Sequence, residues 1–173
     1  RYDSYENRDF GDRCIMFSKS GPPLRTGAYN NNLMIFQTAD HVAIFTEQSR
    51  MARIIPLDDR PHLTSAIRTA LGDARGHWEG DTLVVETTNL KRGSGGATRE
   101  LRLVERFTRV DADRIDYRFS VTDTATWTRP WSGSLPLTRL QGLMYEYACH
   151  EGNYALFNVL SGARAQERRD NGR

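Results

Sequence analysis

The chain has no long hydrophobic run. No stretch approaches the roughly 18 apolar residues that would cross a bilayer as a helix, so no membrane-spanning helix is expected. It also has no marked excess of one charge. Its 24 lysines and arginines stand against 22 acidic residues, a formal net charge of +2. The arginines are dispersed among acidic residues, with no basic block in the body of the chain, which argues against nucleic acid as a partner. The Arg168-Arg169 pair reads as part of a solvated tail. Several catalytic signatures are missing as well. There is no Gly-x-Ser-x-Gly elbow, and residues 93–96 lack the lysine spacing of a phosphate loop. The histidines His41, His62, His77 and His150 show neither HxH nor HExxH spacing. His77, Glu79 and Asp81 are spaced by two, but the Glu-Gly-Asp turn interrupts the strand and need not leave them on one face. No metal site and no cofactor are therefore expected. Cysteine is scarce: Cys14 and Cys149 stand near opposite ends. In an exported protein they could pair and close a long loop, and in a cytosolic one they would be two buried thiols. No signal peptide is visible, and the first residue is Arg1 rather than Met. The expectation is a removed leader or a missing N-terminal piece.

What is present points to one β-rich domain. A chain of 173 residues can bury about two-thirds of its surface without staples. With 38% apolar and 27% charged residues, its balance is globular. The apolar pattern repeats mainly every second residue and is broken by turn residues at short intervals, the mark of antiparallel strands. Strands are predicted over 13–18, 32–38, 42–48, 52–57, 75–78, 82–89, 100–110, 114–122, 128–139 and 143–149. An irregular stretch over 58–73 holds a possible helical turn at 64–68. Asn153 reads as a helix N-cap, with Gly162 weakening the helix end. Residues 1–12 and 166–173 read as extended or flexible ends. The predicted architecture is a mainly β antiparallel meander closed as a lipocalin-like, calycin-type barrel with a C-terminal helix. An open sandwich is the alternative.

Alternate residues of a strand share a face. Leu101, Leu103, Glu105 and Phe107 therefore lie together, with Glu105 the one charge in an apolar row. Buried there, it would suit general acid or base work; the competing reading is a structural carboxylate paired with an arginine. Glu86, beside Thr82, Val84 and Thr88, and Glu146, beside Met144 and Ala148, follow the same logic more weakly. Arg129 and Trp131 share a face with Leu135 and Leu137, and could hold a polar group and an apolar part of a ligand. Equally, Trp131 could be core and Arg129 the counter-ion of Glu105. Tyr117, with Ile115, Phe119 and Val121, is a further candidate for the wall of the interior and is most economically read as core. His62 lies in the irregular stretch, where functional residues are common, and could titrate near neutral pH; a histidine holding a backbone carbonyl is the plainer alternative.

Five segments stand out as a set: Arg53-Ile-Ile-Pro-Leu-Asp-Asp-Arg-Pro-His62, Gly72-Asp-Ala-Arg-Gly-His-Trp-Glu-Gly-Asp-Thr-Leu-Val-Val-Glu-Thr-Thr-Asn89, Val104-Glu-Arg-Phe-Thr-Arg-Val-Asp-Ala-Asp113, Thr128-Arg-Pro-Trp131 and Tyr145-Glu-Tyr-Ala-Cys-His-Glu-Gly-Asn153. In that order they resemble a large family of uncharacterised, predicted secreted bacterial proteins. The resemblance runs from about Tyr29 to Ala165. It implies export, to the periplasm or beyond, and strengthens the pairing of Cys14 with Cys149. It implies no catalytic residue. Asp59 departs from the family pattern, which has Gly there, and a Pro-rich segment expected upstream is absent. The expected function is a cofactor-independent acid/base enzyme (lyase, isomerase or hydrolase) acting on a small apolar or glycosidic molecule in a barrel cavity. The alternatives are a non-catalytic periplasmic small-ligand-binding protein, or a structural or interaction domain with a filled interior.

Overall fold

The computed structural model describes residues 2–17, 20–49, 51–91 and 98–172; the glycine-rich connection at 93–96 lies outside the described residues. Among the described residues eight strands follow one another in chain order: β1 (Leu33–Gln37), β2 (His41–Thr46), β3 (Ala52–Pro56), β4 (Asp73–Glu79), β5 (Thr82–Thr88), β6 (Arg102–Arg109), β7 (Arg114–Thr122) and β8 (Trp131–Thr138). Helix α1 (Tyr154–Asn171) comes last. Every strand pair is antiparallel and joins sequence neighbours, so the meander read from the period-two pattern is present. It is divided, however. Strands β1 to β3 form one sheet and β4 to β8 a second, and no closed barrel is found among the described residues. The division falls where the chain leaves β3. The stretch 57–72 carries only turns and one isolated bridge, Thr69 to Leu90.

The two sheets meet at β3 and β4. Gly76 of β4 makes this possible, because a Cβ there would come within 2.8 Å of Ile55 and 2.9 Å of Leu57. The inner faces then close over a core that includes Val42, Ile44 and Ile55 from the first sheet and Val85, Leu103, Tyr117 and Val121 from the second. Alternation is regular on β6, where Leu103, Glu105 and Phe107 are buried and Arg102, Val104, Arg106 and Thr108 are not. The first sheet also leaves apolar side chains outward: Met34, Phe36 and Ile54 are exposed.

Three sequence expectations change. Of the strand expected over 13–18, the described residues 13–17 form none; Met16 makes an isolated bridge with Ser49. Residues 143–148 carry no secondary structure, so β8 has no partner from that segment. Helix α1 runs through Gly162 and on to Asn171, past the point where the sequence suggested an end. Asn153 precedes it but makes no side-chain capping bond to it. Instead its side-chain amide donates to Asp12 O and Cys14 Sγ, at 3.3 and 3.2 Å. Cys14 and Cys149 are joined in a disulfide with Cα atoms 5.6 Å apart, spanning 135 residues of sequence. The bond ties the N-terminal segment to the coil before α1, where Phe17 and Tyr147 also meet edge to face. No described helix is long and apolar enough to cross a membrane.

Candidate functional site

Glu105 faces the interior, as its strand register requires, and is wholly buried. Its counter-ion is Arg53 of β3, not Arg129. Arg53 Nη2 bonds Glu105 Oε2 and also donates to Thr87 Oγ1 at 2.6 Å. The second carboxylate oxygen accepts the Tyr117 hydroxyl at 2.7 Å. That hydroxyl in turn accepts the backbone N–H of Leu24 at 2.9 Å. Burial, followed by the adjacent Glu105 charge, raises the pKa of the Tyr117 phenol far above its ordinary value. Tyr117 is therefore a fixed donor to the carboxylate. Arg53 Nε and Nη1 are buried without a partner among the described residues. The group links the two sheets through a charge pair that no sequence spacing would reveal: its members are 52 residues apart.

The other proposed site residues do not join Glu105. Glu86 pairs with Arg75 and Val104 on the outer face of the second sheet, half-buried. Glu146 lies exposed in the coil before α1. Arg129 is exposed in the turn before β8. Trp131 opens β8 at 40% exposure, its ring set edge-on against Phe119 and Trp127 at 5.7 and 5.6 Å. The convergence of Glu86, Glu105, Arg129 and Glu146 on one interior is thus replaced by a single buried carboxylate with its own partners. Strand alternation assigns a face but cannot say which residue of another sheet lies over it.

His62 does hold a fixed position, but its partner is a carboxylate rather than a carbonyl. Its Nδ1 lies 2.9 Å from Asp73 Oδ2. Asp73 is buried and also accepts the Leu63 N–H at 2.8 Å and Arg75 Nη1 at 2.6 Å. Burial alone would raise the Asp73 pKa, but these three donors outweigh it and hold the carboxyl below the usual range. Arg75 further donates to the carbonyls of Arg60 and Pro61, and the Asn89 amide to those of Leu63 and Thr64. The segment from Arg60 to Thr64 is thereby pinned to β4 and to the end of β5. In the turn of that hairpin, Glu79 is taken by Arg106 and lies 3.3 Å from His77 Nε2.

The space available to a ligand is elsewhere. A cleft of about 630 Å³ opens between the inner face of β1 and β2 and that of β6 to β8. Its walls include Ile35, Ile44, Leu83, Phe107, Leu135 and Leu137. Glu105, Arg53 and Tyr117 do not line it. Gln48 and Ser20 do, and both are more than nine-tenths buried. Gln48 Oε1 and Ser20 Oγ have no hydrogen-bond partner among the described residues. Sequence reasoning missed both, since a buried polar atom without a partner becomes visible only once its surroundings are known. Compared with protein-family models, curated proteins and solved structures, the chain has no match.

Proposed function

We propose that the protein binds a small, largely apolar molecule carrying a hydrogen-bonding group, held in the cleft between its two sheets. The observation that carries this reading is the cleft itself, about 630 Å³ and walled by Ile35, Ile44, Leu83, Phe107, Leu135 and Leu137. The apolar walls supply burial, and Gln37 and Thr138 of the same lining offer polar groups to a ligand. The cleft volume is in the range of small-molecule sites. The sequential meander, with β3 packed against β4, supports reading the molecule as a calycin-type barrel left unclosed both between β3 and β4 and between β8 and β1. The Cys14–Cys149 disulfide suits an oxidising compartment. With the family resemblance, it supports a periplasmic or secreted location.

Binding is favoured over acid/base catalysis because a general acid must come within about 2.6–3.2 Å of the proton it moves, directly or through one water. Glu105 is enclosed by Arg53 and Tyr117 and does not border the cleft. The test is titration with the neutral fluorescent probe N-phenyl-1-naphthylamine. Wild-type protein should enhance its emission saturably. Leu135→Trp, which fills the cleft from a half-buried wall position, should abolish the enhancement while leaving far-UV circular dichroism unchanged. No saturable binding to wild type, or equal binding to a folded Leu135→Trp variant, would sink the proposal.

A further inference from the structure

The two ends of the cleft differ in chemistry. Ile55 and Leu57 lie against Gly76, whereas Arg53 lies against Thr87 and Glu105. The first sheet therefore runs with Val42 and Gln37, the neighbours of Ile55, toward the β4–β5 turn. Thr46 and Gln48 lie toward the opposite end. At the turn end, three arginines reach the cleft: Arg109 from the end of β6, Arg114 from the start of β7 and Arg139 just after β8. The β6–β7 turn brings the first two together. The Arg114–Thr138 register and the bond from Arg139 N to Asp113 O, at 2.8 Å, add the third.

Two aspartates share that end, Asp81 and Asp113. Asp113 already faces Arg139 at 3.3 Å. The Arg109 side chain donates to the carbonyls of Asp111 and Ala112, contacts that leave its charge in place. Arg114 has no side-chain partner among the described residues. At this end three arginines stand against two aspartates, a surplus of one positive charge.

We propose that the ligand is an amphipathic organic acid, its chain lying along the apolar walls and its carboxylate at the Arg109–Arg114–Arg139 end. This rests on the binding reading above and adds the charge and the orientation. A guanidinium accepts a carboxylate through paired N–H donors, and the neighbouring apolar walls lower the local dielectric.

The experiment is displacement of bound N-phenyl-1-naphthylamine by decanoate, decanol and decyltrimethylammonium at pH 8. Decanoate is expected to displace the probe at a concentration roughly two- to fivefold below that of decanol, as for a partly exposed ion pair. Decyltrimethylammonium should be the weakest of the three. The preference for decanoate should shrink in about 0.5 M salt and in Arg114→Gln, but not in Arg168→Gln on α1. Equal displacement by decanoate and decanol, or a preference untouched by Arg114→Gln combined with Arg139→Gln, overturns the charge assignment and leaves the binding reading standing. If the probe itself does not bind wild-type protein, both fail together.

Discussion

Glu105 is wholly and Arg53 almost wholly buried, so their value lies in each other. Removing one partner strands the other charge in the core, at a cost of about 3–5 kcal/mol. Glu105→Gln should therefore lower the unfolding free energy measured by urea denaturation by about that amount. Glu105→Leu with Arg53→Met should recover most of the loss, because well-packed apolar pairs replace buried ion pairs without penalty. A double variant no more stable than the single ones would show that the pair does more than satisfy itself. Asp73 makes a second claim at this scale, and it concerns pH. Its folded pKa is depressed, so its contribution is present above the unfolded value of about 3.9. It is lost as pH falls through the lower folded value. Asp73→Asn should flatten the acid limb of the stability profile between about pH 4 and its lower end, and loosen the segment around His62. A limb of unchanged slope would contradict this. The sequence made Glu105 legible, because one charge in an apolar alternation has few explanations. It did not make Arg53 legible as its partner, because that contact crosses between sheets.

Strands with strict alternation and a short polar turn were readable as whole elements. The β6–β7 hairpin is the clearest case: its predicted legs at 100–110 and 114–122 match Arg102–Arg109 and Arg114–Thr122. The segment 143–149 alternates just as plausibly, yet it joins neither sheet although β8 is an edge strand, and it lies as coil with Leu143 and Tyr145 exposed. Propensity alone does not decide pairing there. Gly76 shows the opposite case, a residue without pattern on which the assembly of two sheets depends. Gly76→Ala should force Ile55 and Leu57 away from β4 and cost about 1–3 kcal/mol, as overpacking does. Thermal unfolding would measure it. A variant as stable as wild type would mean that β3 can shift freely over β4.

Across the whole molecule, the sheets and the termini are held by different means. The sheets share a core and the Arg53–Glu105 pair. The N-terminal segment and α1, which has no buried residue, are held to each other by Cys14–Cys149, by Phe17 on Tyr147 and by Arg164 on the carbonyls of Tyr2 and Asp3. Reduction should therefore raise hydrogen exchange over residues 2–17 and 143–172 while β5, β6 and β7 keep their protection. Loss of protection throughout would show one cooperative unit instead. The same bond encloses 135 residues of separation between its cysteines. A protease that nicks any exposed loop inside that span, such as the segment between β3 and β4, would not release a fragment. The cut chain would run as one band on a non-reducing gel and as two after reduction, so damage to this protein can be present while its mass stays whole.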